Sequence, residues 1–356
     1  MHSSTSNFER VIPSKPWRGI TVLVLLVVIV AGIAWEVYTR SAGYAPTLND
    51  TNDLWAQARR QVKPGSLVIV GDSRPHFDLD LDELERGLGS RPVQLAQGGS
   101  CAFPVFEELI NDERFNGTII CSIVPRMFFA PGGPLVENAE GAIKRYREQT
   151  LAQRASHHLA LPLEEHIAFL KMDELDTAGL LKRIRIPNRP GALVPPPLPP
   201  YFASLDRERR ARMIDQCAQP GPLPDRVKHG WIPLFTPPPP PSWIPVEAYR
   251  AKVAATIEGR FGATAALVDK LRKRGGKVVF VRFPVTGELK ALEDQATPRQ
   301  GIWDRLLRET RAPGIYFEDF PELASFDCPE WSHLSAADSV EFTRRLVPHL
   351  RTALEM

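Results

Sequence analysis

The stretch Leu67-Val68-Ile69-Val70-Gly71-Asp72-Ser73 decides the fold class that this sequence predicts. Four apolar residues in a row, three of them β-branched, lie between Pro64-Gly65 and Gly71, which is typical of a short buried strand rather than a helical segment. A polar residue directly after a parallel strand projects at the carboxyl edge of the sheet, where open α/β folds bind their ligands. Ser73 is therefore a candidate nucleophile. The alternative is an ordinary turn that caps a helix, which Gly-Asp-Ser suits as well.

A second polar cluster lies near the C-terminus, at Asp327-Cys328-Pro329-Glu330-Trp331-Ser332-His333-Leu334-Ser335. A serine hydroxyl is a poor nucleophile until an adjacent imidazole takes its proton, and that imidazole needs an acid or a carbonyl to orient it. His333 follows Glu330 by three residues and Asp327 by six. A loop can aim such a set at one point, so Ser73, His333, Glu330 and Asp327 are the predicted catalytic residues.

These motifs resemble those of the SGNH (GDSL-type) hydrolase family. The family's first block is similar to Gly71-Asp72-Ser73, and its last block is similar to Glu330-Trp331-Ser332-His333-Leu334-Ser335. Its second block, a turn of small residues, resembles Val93-Gln94-Leu95-Ala96-Gln97-Gly98-Gly99-Ser100. The resemblance spans about residues 60–129 and 250–356. It implies an SGNH-like (flavodoxin-like) fold and ester chemistry through an acyl-enzyme.

Two departures from the family pattern matter for the site. The family usually has Asp three residues before the histidine; at Glu330 the spacing fits, whereas at Asp327 the residue type fits, so either acid could orient His333. The family's Gly-x-Asn-Asp block is absent from residues 118–126, which removes one expected oxyanion-hole donor. The same departure occurs in membrane-anchored relatives that resemble the alginate O-acetylation and teichoic-acid D-alanylation proteins.

The oxyanion hole is predicted from backbone N–H groups of Ser73 and Gly99. Glycine at position 99 leaves room for its N–H to face a developing oxyanion, because a side chain there would crowd the site. A simple turn explains this glycine equally well.

The pattern of a basic segment followed by an apolar one, in residues 1–38, predicts a membrane anchor. Residues 1–18 are polar and basic, and residues 19–38 form an apolar span with Trp17, Trp35 and Tyr38 as interfacial aromatic residues at its two ends. A cleaved signal peptide is the main alternative. In both cases the basic flank stays cytoplasmic and residues 39–356 are exported. The uncleaved anchor, which we favour, predicts a single-pass protein of a bacterial inner membrane with a periplasmic catalytic domain.

The remaining chain alternates predicted strands and helices, as βαβ units of a parallel sheet do. The predicted strands cover residues 67–70, 93–96, 118–124, 277–283 and 315–320. They predict an α/β fold with a doubly wound, parallel five-stranded sheet. Residues 40–65 are expected to form a tether and a short helix.

An insertion at about residues 130–247 interrupts this alternation. It contains helical spacing at residues 163–185 and proline-rich segments at 195–200 and 237–241. Its aromatic residues Trp231, Phe235 and Trp243 are expected either to form a substrate platform or, more simply, to pack against the prolines.

Composition and residue spacing argue against nucleic-acid binding, a disulfide scaffold and a metal site. With 44 basic and 42 acidic residues the net charge is +2, and no basic stripe indicates nucleic-acid binding. The four cysteines are too scattered for a disulfide scaffold, although a bridge between Cys101 and Cys328 is one option in an oxidising compartment. His157, His158 and His166 lack an acid or cysteine that would complete a metal set, so neither a metal nor a cofactor is expected.

The sequence thus predicts an exported serine esterase or O-acyltransferase, with the membrane and an acylated cell-envelope glycan or another ester as partners. Proteins that assemble an envelope polysaccharide are further candidate partners. Two alternatives remain open: a non-catalytic scaffold of such an assembly and a lysophospholipase.

Overall fold

The computed structural model describes residues 16–172, 174–182, 184, 198–236, 240 and 243–355. Most of the predicted cytoplasmic segment 1–18 lies outside these residues. So do residues 195–197 of the first predicted proline-rich segment and all of the second except residue 240.

Among the described residues, seven strands form two sheets. The strands are β1 (Leu67–Val70), β2 (Val93–Gln94), β3 (Thr118–Ser122), β4 (Ala203–Leu205), β5 (Ala211–Met213), β6 (Lys277–Arg282) and β7 (Gly314–Tyr316). Five of them form a parallel sheet in the order β2-β1-β3-β6-β7, while β4 and β5 form a separate antiparallel hairpin. The predicted parallel five-stranded sheet is therefore confirmed.

Sixteen α-helices and two short 3₁₀ helices surround these strands in the described part of the chain. The N-terminal helices are α1 (Trp17–Ser41), α2 (Asn52–Gln61), α3 (Ser73–Asp78), α4 (Leu81–Leu88), α5 (Ala102–Asn111) and α6 (Pro125–Phe128). The insertion contributes α7 (Pro134–Glu148), α8 (Leu151–Glu164), a 3₁₀ helix (Ala168–Leu170), α9 (Thr177–Lys182), α10 (Asp215–Ala218) and α11 (Pro222–Phe235). The C-terminal helices are α12 (Val246–Arg272), α13 (Gly287–Ala296), α14 (Arg299–Thr310), α15 (Pro321–Ala324) and α16 (Ala336–Ala353), with a 3₁₀ helix at Phe317–Asp319.

Strand β1 is buried at all four residues, as its apolar run predicts, because it lies between β2 and β3 inside the sheet. The next strand along the chain, β2, pairs on one side of β1, and β3 pairs on the other. The direction of winding therefore reverses between β1 and β3. In open α/β sheets the crevice at this reversal, outside the carboxyl ends of the strands, is where ligands bind.

Four strands end before the predicted residue: β2 at Gln94 rather than 96, β3 at Ser122 rather than 124, β6 at Arg282 rather than 283, and β7 at Tyr316 rather than 320. After Gln94, the Leu95 carbonyl accepts the indole N–H of Trp55 at 2.9 Å instead of pairing with the neighbouring strand, although Leu95 and Gln97 still donate to the Ile69 and Gly71 carbonyls. β7 ends at Tyr316 because the chain passes directly into the 3₁₀ helix Phe317–Asp319.

The insertion is more regular than predicted, but the helical spacing at residues 163–185 does not form one helix. α8 ends at Glu164, and the next regular element is the 3₁₀ helix Ala168–Leu170. The carboxylate of Glu36 accepts the backbone N–H groups of Ala168 and Phe169, at 3.0 and 3.2 Å, and so replaces the helical hydrogen bonds at this point.

The segment between α1 and α2 is part of the domain rather than a free tether. Leu48 and Asn49 are buried. The Asn49 side chain donates to the carbonyl of Leu170 at 3.1 Å, and Leu48 donates its N–H to the carbonyl of Leu205 at 3.2 Å. α1 therefore leads into the domain through a packed segment.

α1 is the one helix among the described residues that is long and apolar enough to cross a membrane. It contains the predicted span 19–38, and its apolar side chains are not covered by the domain. At 1.5 Å per residue its 25 residues reach about 37 Å, more than a hydrocarbon core of about 30 Å.

Candidate active site

Ser73 is the first residue of α3, three residues after β1 ends. Asp72 caps this helix by accepting the backbone N–H of Arg74 at 2.9 Å, and its other oxygen accepts the Ser122 hydroxyl at 3.0 Å. Gly-Asp-Ser is thus a helix cap, as the simpler interpretation predicts. It also places Ser73, partly exposed, at the carboxyl edge of the sheet beside the reversal between β1 and β3.

Gly71 makes the approach of these two strand ends possible. A Cβ at this position would lie 2.7 Å from the Cβ of Ser122 and would also overlap Pro75. Any larger residue would therefore push β1 away from β3 and break the contact between Asp72 and Ser122.

Glu330 and His333 form a completely buried pair, each with 0% of its surface exposed. One carboxylate oxygen lies 2.8 Å from His333 Nδ1 and accepts the His333 backbone N–H at 2.5 Å. An ionised carboxylate only accepts hydrogen bonds, so Nδ1 carries the proton in this contact, and in the neutral imidazole Nε2 is then the acceptor. His333 Nε2 is buried and has no hydrogen-bond partner in the described part of the chain.

Asp327, the second acid predicted for this role, lies apart from the imidazole. It is exposed, and no hydrogen bond or ion pair joins it to His333 among the described residues. The loop turns at Trp331, which has a φ of 78° and donates its N–H to the Cys328 carbonyl at 2.8 Å. This turn brings residues 330 and 333 to the same side, so Glu330 is the acid in contact with His333.

Three aromatic rings surround His333. Phe77, one turn after Ser73 on α3, stacks on the imidazole with ring centroids 4.3 Å apart. Phe202 lies 6.0 Å away, and Trp231 presents its ring edge at 5.6 Å. Trp231 also donates its indole N–H to the second oxygen of Glu330. Two residues of the insertion therefore help to bury the pair.

Among the described residues, Ser73 and His333 are not in direct contact through a hydrogen bond; Phe77, on the same helix as Ser73, is the residue that packs against the imidazole. The backbone N–H of Leu334 donates to Asp78 at 2.9 Å, which holds the histidine loop against the C-terminal end of α3. Burial raises the pKa of the Asp78 carboxyl well above its usual range.

The turn containing Gly99 lies next to Ser73. A Cβ on the neighbouring Gly98 would lie 3.9 Å from the Cβ of Ser73, and Gly99 has a φ of 61°, which favours glycine. The Gly99 N–H donates no hydrogen bond within the described residues. Its carbonyl accepts the side-chain amide of Asn138, on α7, at 2.9 Å.

A buried ionic cluster lies next to Ser73. Glu293 on α13 pairs with both Arg74 and Arg282, and all three side chains are buried. Burial opposes ionisation of Glu293, but the two guanidinium groups outweigh it and lower the pKa of this carboxyl to about 2. Arg126, on α6, donates to the Thr236 carbonyl at 3.0 Å.

The four cysteines are free and buried, so Cys101 and Cys328 form no bridge. Burial raises the pKa of the Cys328 thiol, which keeps it protonated.

His157 contacts Gln57 at 2.8 Å, and His166 contacts the Pro162 carbonyl. Within the described ranges, no group of His, Cys, Asp and Glu residues is placed to hold a metal ion.

Sequence reasoning missed Phe77, Phe202 and Asn138, which carry no motif, and considered Trp231 only as a stacking or packing residue. Chemically, an imidazole fixed by a carboxylate at Nδ1 and free at Nε2 can accept a proton from a hydroxyl that reaches it.

Comparisons of the chain with protein-family models, curated proteins and solved structures find no match.

Proposed function

We propose that this chain is an exported, membrane-anchored serine esterase or O-acyltransferase with an SGNH-like fold. The observation that carries the proposal is the buried Glu330–His333 pair with a free Nε2, packed against the helix that begins with Ser73. The strand order supports the fold, because along the chain the five parallel strands are ordered 2-1-3-4-5, as in flavodoxin-like sheets.

In the proposed mechanism His333 Nε2 takes the proton of the Ser73 hydroxyl as Ser73 Oγ attacks an ester carbonyl. The N–H groups of Ser73 and Gly99 hold the negative oxygen of the tetrahedral intermediate. The alcohol leaves with the proton from His333, which gives an acyl-enzyme. Water or a sugar hydroxyl then takes the acyl group while His333 again acts as base, and Glu330 stabilises the imidazolium throughout.

The mechanism requires the Ser73 hydroxyl and His333 Nε2 to come within hydrogen-bond distance. Hydrogen bonds of this kind are often long or poorly aligned without substrate and shorten in the reacting complex.

The proposed setting is a bacterial inner membrane with the catalytic domain in the periplasm. α1 supports a single-pass anchor, and the basic residues before it support the orientation. The proposed substrate is an acylated cell-envelope glycan or another ester, and proteins that assemble an envelope polysaccharide are proposed partners.

The test measures nitrophenyl acetate hydrolysis and fluorophosphonate labelling of the full chain in detergent. Ser73→Ala and His333→Ala should each lower the rate by about a thousandfold or more. Asp327→Asn is the matched control, since Asp327 is exposed and does not contact the imidazole. A parent protein that is neither labelled nor active, or a Ser73→Ala variant of full activity, would contradict the proposal.

A non-catalytic scaffold is the second candidate, and the complete burial of His333 favours it. In that case the aromatic residues around the imidazole serve packing alone. Envelope-polysaccharide acylation in cells should then survive Ser73→Ala.

A further inference from the structure

Helix α8 turns an apolar face away from the domain. Leu151, Leu159 and Leu163 are 81, 73 and 53% exposed, which is unusual for leucines of a folded domain. At 100° per residue they share one side of the helix with Ala152, Ala155 and Pro162, and these three are also exposed. The apolar face therefore runs along all 14 residues of α8.

The opposite side of α8 is the one that contacts the domain. Leu161 is buried, His157 contacts Gln57 of α2 at 2.8 Å, and α8 packs against α2. The orientation of the helix is thus fixed, and within the described part of the chain nothing covers the apolar face. His158, which is exposed, lies about 20° beyond Leu151 and so at the border of the apolar face.

The end of α8 is attached to the point where α1 leaves its apolar span. Arg40 donates to the His166 carbonyl at 3.0 Å, and Glu36, on the preceding turn of α1, accepts the N–H groups of Ala168 and Phe169. Glu36 and Arg40 also pair with each other at 2.7 Å. Because Leu163 is three residues before His166, it lies within about 10 Å of this attachment.

We propose that α8 lies in the membrane surface, with Leu151, Leu159 and Leu163 inserted at the boundary between headgroups and acyl chains. A helix with one apolar and one polar face binds the interface in this way. The helix is about 21 Å long. If its axis were perpendicular to the bilayer, only the turn nearest α1 could reach the lipid, and the rest of the apolar face would stay in water.

The consequence is an exported domain with a fixed orientation. With α1 as the only attachment, the exported domain could rotate about the axis of that helix. With α1 and α8 both bound, the same face of the domain would always be turned to the membrane. The inference does not depend on catalysis, only on α1 crossing the membrane.

The test uses the full chain in vesicles of phosphatidylcholine and phosphatidylglycerol. Single cysteines replace Leu151 or Leu159 and carry an environment-sensitive nitrobenzoxadiazole dye; the four native cysteines are buried and should not react. The control is Arg308→Cys, an exposed position on α14, which packs beside β7 at the other edge of the sheet from α2 and β2. These exposed substitutions leave the core intact, so folding is retained.

At Leu151→Cys and Leu159→Cys the dye emission should shift to the blue, and lipids brominated on their acyl chains should quench it several-fold more than at Arg308→Cys. Emission at either α8 position that matches the control would overturn the proposal. Blue-shifted emission that brominated lipids do not quench would also overturn it, because a protein surface rather than lipid would then cover the helix.

Discussion

At the scale of single residues, Trp231 is the side chain that ties the insertion to the candidate site. Its indole N–H occupies the Glu330 oxygen that does not face His333, so the carboxylate cannot rotate away from the imidazole. We regard Trp231 as a positioning residue, since it acts on His333 through Glu330.

Trp231→Phe should therefore weaken the proposed reaction without unfolding the chain, because phenylalanine keeps most of the ring packing and loses the N–H. A hydrogen bond to a charged group contributes about 1.5–3 kcal/mol, which corresponds to roughly a 10- to 100-fold loss in kcat/KM. Ester hydrolysis measures this loss, and a displaced pH–rate profile would distinguish it from a purely structural effect. The control is Trp243→Phe, since Trp243 is 76% exposed on the same insertion. Equal activity in both variants would remove Trp231 from the site.

The sequence predicts Ser73, Glu330 and His333 because each belongs to a short motif whose chemistry constrains the residue type. It leaves Glu330 and Asp327 as alternatives, since only the turn at Trp331 decides which acid reaches the imidazole. Phe77 and Trp231 carry no such motif. Aromatic residues near a site are indistinguishable in sequence from those of any core, so their contacts with His333 could not be predicted.

At the scale of elements, Glu293 joins α13 to α3 and β6 through two buried ion pairs. Removing the shared acid would leave two buried guanidinium groups without a countercharge. Glu293→Gln should therefore lower the free energy of unfolding by about 3–5 kcal/mol, measured by urea denaturation.

The neighbouring Asp294→Asn is the matched control for Glu293→Gln. Asp294 pairs with Lys290 at the surface, where ion pairs contribute about 0–1 kcal/mol. A similar loss in the two variants would show that the buried cluster has no special role in stability.

Elements were predicted best where a single signal decides them. The apolar runs of β1, β3 and β6 identify buried strands, and five such units predict the parallel sheet. Element ends depend on tertiary contacts: α8 stops at Glu164 because Glu36, more than a hundred residues earlier, caps the following N–H groups. No local pattern in residues 163–185 contains this information.

At the scale of the whole molecule, three separate parts of the chain meet at Asp50. Arg209, in the turn of the β4–β5 hairpin, donates to Asp50 at 2.7 Å and to the Gln94 carbonyl at 2.9 Å. His76 on α3 lies 4.0 Å from the same carboxylate. The insertion, the segment after α1 and the central sheet are therefore joined by polar contacts at a partly buried carboxylate, and we expect them to unfold together.

His76 makes this junction sensitive to acid. Its burial, together with the charge of Arg209, outweighs Asp50 and lowers the pKa of the imidazole from 6.5 to about 4. Between these values the unfolded chain binds a proton that the folded chain does not, so the stability present above pH 6.5 is lost as the pH falls towards 4. The loss should reach about 3 kcal/mol, at 1.36 kcal/mol for each pKa unit.

Urea denaturation of the full chain in detergent, followed by tryptophan fluorescence between pH 6.5 and 4, measures this dependence. His76→Gln should flatten it, because glutamine does not titrate, and His229→Gln, at an exposed histidine of α11, serves as the control. If the fluorescence change resolves into two separate transitions, the insertion unfolds independently of the sheet and the junction at Asp50 does not couple them. A His76→Gln variant with the pH dependence of the parent would mean that the pKa of His76 is not lowered in the folded protein, either because water reaches the imidazole or because Asp50 offsets its burial.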